Sequence, residues 1–89
     1  MNKEFYIIAF SSTHAAIKAE KKLKDKFKVD IIPTPREISA SCGISIKFGA
    51  EDFDSIIDII KVDKDEISMY HIVSLGGRKE VMKIRMEDE

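Results

Sequence analysis

The sequence predicts an α+β fold: one ferredoxin-like domain over residues 1–89, with elements in the order βαββαβ. The expected sheet is antiparallel, of strand order 4-1-3-2, with two helices on one face and room for an extra C-terminal strand. Three observations carry this. Short apolar runs of β character alternate with two stretches of helical period. Capping and turn residues stand at the joins. The handedness of crossover connections then sends both helices over the same face.

Residues 4–10 (EFYIIAF) are apolar, aromatic and β-branched, and read as a buried strand. Ser11, Ser12 and Thr13 follow, residue types whose side-chain oxygen accepts from the unpaired amides that open a helix. The helix is expected to run to about Phe27, with Ala16, Ala19, Leu23 and Phe27 on one face and small alanines allowing close approach to a sheet. Residues 29–32 (VDII) read as a second strand. Pro33-Thr34-Pro35 must then be extended, because proline fixes its own φ and restricts the residue before it.

Residues 43–48 (GISIKF) alternate and give a third strand, which Gly49-Ala50 ends. Phe53, Ile56, Ile57 and Ile60 fall at i, i+3, i+4 and i+7, an amphipathic helix. Its first turn is expected to carry Glu51, Asp52 and Asp54, which favours the positive end of the helix dipole. Residues 67–75 (ISMYHIVSL) read as a fourth strand. Gly76-Gly77 is a two-residue hairpin signal. Pairing outward from it sets Leu75 opposite Arg78, His71 opposite Met82 and Met69 opposite Ile84. A fifth strand with Ile67, Met69, Met82, Ile84 and Met86 on one hairpin face follows.

Composition bounds the function. The chain has 89 residues, 44% hydrophobic and 35% charged, and a net charge of -1, which argues against a dedicated nucleic-acid binder. No apolar run reaches the ~20 residues that cross a membrane, and there is no basic-apolar-small leader, so the expected compartment is the cytoplasm. One cysteine excludes a disulfide within the chain. Residues 18–28 hold six lysines and residues 51–66 hold seven acids. These runs read as two solvated, mutually attracting faces, or as a docking surface for a charged partner.

The lone thiol is where the topology becomes informative. Strands 1 and 3 are expected to be antiparallel neighbours, so Cys42-Gly43 at the start of strand 3 should share a rim with Ser12 and His14 at the start of the first helix. A helix N-terminus or a nearby cation lowers a thiol's pKa from about 8.5 to between about 3.5 and 7.5. Arg36 is a second cation. Ser39 and Ser41 can donate to a thiolate or to an anionic sulfur attached to it. Gly43 allows close approach of its backbone, and its amide could join an anion-binding nest. Buried structural cysteines usually have apolar neighbours, whereas Cys42 lies in Ser-Ala-Ser-Cys-Gly. One cysteine and two distant histidines do not make the four-ligand spacing of a zinc site, so no metal is expected.

The string Pro33-x-Pro35-Arg36-x-x-Ser39-x-x-Cys42-Gly43, downstream of a strand and a Ser-Ser-Thr helix start, resembles the small family of selenium/sulfur-carrier-like proteins. The resemblance spans residues 5–60. It implies that Cys42 carries sulfur or selenium as a persulfide or selenosulfide, with Pro35, Arg36, Ser39 and Gly43 as matching positions. It also implies a cysteine desulfurase-like or selenocysteine lyase-like donor and an acceptor protein. Such a chain would act as a stoichiometric carrier with no turnover of its own and no cofactor. The alternative is a non-enzymatic module that binds a small ligand or a protein and holds a structural cysteine, since one fold hosts many functions. An edge strand carrying methionines also offers an interface for a homodimer.

Overall fold

In the computed structural model, which describes residues 3–38 and 43–84 (the side chains of 3, 63 and 64 excepted), the chain runs β1 (Lys3–Phe10), α1 (Thr13–Leu23), β2 (Val29–Pro33), β3 (Ile44–Gly49), α2 (Phe53–Ile60), β4 (Ile67–Leu75) and β5 (Arg78–Ile84). The sheet order is β2-β3-β1-β4-β5, and every neighbouring pair is antiparallel. The fifth strand extends the expected four at the β4 edge. Gly76 and Gly77 make this possible, with φ of 52° and 88°. Two successive positive φ values give the turn whose twist matches a hairpin. The register is Leu75↔Arg78, His71↔Met82 and Met69↔Ile84, as the turn demands. Met86 lies outside the described residues.

The apolar run of β1 explains its place between β3 and β4. Ile8 and Phe10 point to one face, Ile7 and Ala9 to the other, and all four are buried. A strand apolar on both sides belongs in the middle of a covered sheet. On the first face Ile8, Phe10, Ile46, Phe48 and Met69 meet Ala15, Ala16, Ala19 and Leu23 of α1 and Ile56 and Ile60 of α2. Both helices therefore pack on this side. The edge strands β2 and β5 carry mostly exposed or half-exposed residues.

Two local differences from the sequence expectation have plain causes. α1 ends at Leu23 and not at Phe27. The amides of Lys26 and Phe27 both donate to the Leu23 carbonyl (3.1 and 2.9 Å), a tightening that turns the chain into β2. Phe27 still packs on the core. A 3-10 turn, Ala50–Asp52, precedes α2, so Glu51 and Asp52 stand just ahead of its first turn with Asp54 inside it.

The second face is not bare. Ile7, Ala9, Tyr70 and Ile72 form a smaller cluster, and Ile38 packs onto it at 4% exposure. Residues 34–38, called the strap below, leave the end of β2 and fold back over this face. A turn closed by the Ile38 amide on the Pro35 carbonyl (3.0 Å) shapes the strap.

Phe10 is among the largest fully buried side chains. Phe10→Ala should cost about 3–5 kcal/mol, comparable with the whole stability of a domain of this size, about 5 kcal/mol at the low end. A urea melt should show the variant largely unfolded at 37 °C; an unchanged midpoint would contradict this packing.

Candidate functional site

The end of β1 sits between the starts of β3 and β4. The pairs Ala9↔Ser45 and Phe10↔Ile67 fix this, and the Ser11 amide donates to the Glu66 carbonyl at 2.9 Å. This places the opening of α1 on the same end of the sheet as Gly43, as the topology argument expected. Ser12 caps α1: its Oγ accepts from the Ala15 amide at 3.1 Å and its carbonyl from Ala16 at 3.2 Å. His14 is exposed in the first turn.

The loop between β2 and β3 is clamped at its base. The Thr34 amide donates to the Gly43 carbonyl at 2.9 Å, and the Thr34 and Ser45 hydroxyls lie 2.7 Å apart. Ser45 is fully buried, where a hydroxyl without a partner is costly, so Thr34 is the residue that satisfies it. Thr34 and Ser45 thus tie the loop base to the sheet by backbone and side chain together. Ser39, Ser41 and Cys42 lie outside the described residues.

At its other end the strap is pinned twice. Ile38 fills the second-face cluster, and Glu37 Oε2 pairs with Lys79 Nζ of β5 at 3.1 Å. The Glu37 carboxyl is held below the ordinary carboxylate value. Its own backbone amide is the largest cause, then the hydrogen bond and charge of Lys79, with Arg36 adding a little. Arg36 is exposed on the same turn. Among the described residues no hydrogen bond or ion pair joins Ser12, His14, Arg36 and Gly43 to one another. Ser12, His14 and Gly43 share one end of the sheet, and Arg36 lies on the strap.

Gly43 has a particular standing. A Cβ built there would meet nothing within 4 Å, and its backbone lies outside the left-handed region. Neither the fold nor the packing of the described residues calls for a glycine there, and the space beside it is open. His71 stands away from the rim, bonded to Glu4 at 2.7 Å and stacked on Tyr6 with ring centroids 4.6 Å apart. Of the two charge runs, Lys18 and Glu66 meet at 3.4 Å, a link between them. No three His, Cys, Asp or Glu side chains among the described residues are grouped to hold a metal ion. Among the described residues no helix is long and apolar enough to cross a membrane.

The residues sequence reasoning missed are Thr34, Ser45, Glu37, Ile38 and Lys79. Ile38 left a signal: it is the one large apolar residue in an otherwise small and polar loop. Lys79 left none, since only the folded sheet brings it to Glu37.

Residues 5–72 match the family model described as "Putative Se/S carrier protein-like". The chain belongs to this family. The match takes in most of β1 through most of β4 and stops short of β5. An uncharacterized protein of Methanocaldococcus jannaschii is 38% identical over 86 residues, covering 92% of this chain. This chain spans 43% of that relative's length. No solved structure matches.

The lowered Glu37 carboxyl gives a signed prediction. A depressed carboxylate adds stability above its ordinary value and loses it as pH falls through its folded midpoint. The strap tether should therefore hold at neutral pH and fail on acidification. A carbon-detected NMR titration should place the Glu37 midpoint below that of an ordinary glutamate. Lys79→Met should move it only part-way back, because the backbone amide remains. No movement in that variant would contradict the pairing.

Proposed function

We propose that this chain is a sulfur or selenium carrier with Cys42 as the carrier thiol. The observation that carries the reading is the clamped loop. Thr34 bonded to Gly43 and Ser45 fixes the base of the loop at the end of the sheet where α1 begins, and Cys42 is Gly43's neighbour in sequence. Membership of the carrier-like family supports it. We read residues 1–89 as a ferredoxin-like domain, with β5 added to the βαββαβ core, and place the protein in the cytoplasm.

The chemistry is thiol exchange. The Cys42 thiolate attacks the outer sulfur of a donor's cysteine persulfide. A bond forms between Cys42 Sγ and that sulfur, the donor's S–S bond breaks, and its electron pair leaves with the donor thiolate. The persulfide's proton ionises to solvent, and no net oxidation occurs. Selenium as the outer atom follows the same course. An acceptor nucleophile then takes the outer atom, and Cys42 departs as thiolate.

The anionic product needs positive potential without a fixed covalent partner. The α1 N-terminus, Arg36 and the Gly43 amide are the groups this reading assigns to it, with Ser39 and Ser41 as hydroxyl donors. Ser12 shapes this end by capping the helix, and His14 lies in the first turn of that helix. The open space beside Gly43 lets a donor loop approach the backbone. A cysteine desulfurase-like or selenocysteine lyase-like enzyme is the donor class, and a sulfur- or selenium-accepting protein the recipient.

The test is intact mass after incubation with a cysteine desulfurase and cysteine. The chain should gain one sulfur atom on Cys42, removable by dithiothreitol, and Cys42→Ser should gain none. A wild-type chain that never gains mass, or a serine variant that does, would sink the carrier reading in favour of a binding module with a structural cysteine.

A further inference from the structure

Between the strap and the helix-free face of the sheet lies a cavity of about 150 Å³. Phe5, Ile7, Ile32 and Ile72 form its floor and sides, and Pro35 and Ile38 of the strap reach over it. A void of this size lined by apolar side chains accommodates one benzene-sized group. Small-molecule sites have this character: mostly apolar, concave, with a few polar groups that fix orientation.

Three charged residues also line it: Glu37, Lys47 and Lys79. Glu37 and Lys79 neutralise one another at 3.1 Å. Lys47 is different. It is half-buried, and its ammonium sits 4.5 Å from the centroid of the Phe5 ring. Among the described residues it has no carboxylate partner within ion-pair distance. The cavity lining thus carries one net positive charge at the edge of an apolar hollow, while Asp30, the cross-strand neighbour of Lys47, lines an adjoining hollow that shares Lys47, together with Glu51 and Asp52. A half-buried cation held against a ring, with no carboxylate within ion-pair distance, gains from an anion that brings its own apolar body.

We propose that this cavity is a binding site for a small monocarboxylate with an aromatic or compact branched body. The carboxylate pairs with Lys47, and the body lies on Phe5, Ile7 and Ile72 beneath Ile38. The volume favours a single free molecule over a peptide, which would need a longer groove. Pro35 and Ile38 belong to the segment that continues toward Cys42, so an occupied cavity holds the strap down. The site does not involve the thiol, and its test is independent of the carrier reading.

Benzoate is the probe, with neutral benzamide as its isostere, followed by amide shifts of the full chain in NMR. Benzoate should shift the amides of Phe5, Ile7, Ile38, Lys47 and Ile72 saturably. Benzamide should bind about tenfold more weakly, the loss expected for one charge-assisted contact. Lys47→Met should lose a similar factor, and Lys47→Arg should keep most of the affinity, which also controls for folding. Shifts that never saturate, benzamide binding as tightly as benzoate, or a Lys47→Met variant with unchanged affinity would each overturn the proposal.

Discussion

The burial of β1 on both faces is the constraint from which the rest follows. Ile8 and Phe10 need a helical layer on one side, and Ile7 and Ala9 need cover on the other. Two helices of modest length supply the first. The second is left to the strap, because the crossover rule has already sent both helices to the same face. Ile38 meets that need. Hydrophobic cover of a strand and placement of a loop are here one event.

That event has a functional consequence. A connection between two neighbouring strands would normally stray into solvent, with the freedom of a loop. This one is held at its base by Thr34, Gly43 and Ser45 and across the face by Ile38 and Glu37. A carrier thiol has to meet one protein and leave with another, which asks for access. It also has to keep a reactive anion from wandering, which asks for restraint. Under the proposed carrier reading, the restraint comes from the contacts of Thr34, Glu37 and Ile38.

Much of this architecture was legible because it rests on local pattern. The period of Phe53, Ile56, Ile57 and Ile60 gave α2, the Gly76-Gly77 pair set the hairpin register residue by residue, and the unbroken apolar run of β1 marked a buried strand. The end of α1 was misplaced because Phe27 continues the apolar spacing while the backbone has already tightened around the Leu23 carbonyl. The strap was not legible, since Pro33-Thr34-Pro35 states only that the chain is extended. Its fold-back depends on a slot between β1 and β4 and on Lys79 from the last strand. The rim was foreseen from strand order alone, and the register Ala9↔Ser45 places the start of β3 beside the end of β1. Which side chains clamp the loop there was not foreseen, because Thr34 and Ser45 become partners only once Ser45 is buried.

The central claim is that Cys42 is an exposed, activated thiol presented by this clamped loop. The most direct measurement is its alkylation rate in the native chain as a function of pH, read by intact mass. The account predicts fast, complete labelling without denaturant and a midpoint well below the ordinary thiol value of about 8.5. Labelling only after denaturation would show a buried structural cysteine and contradict the claim.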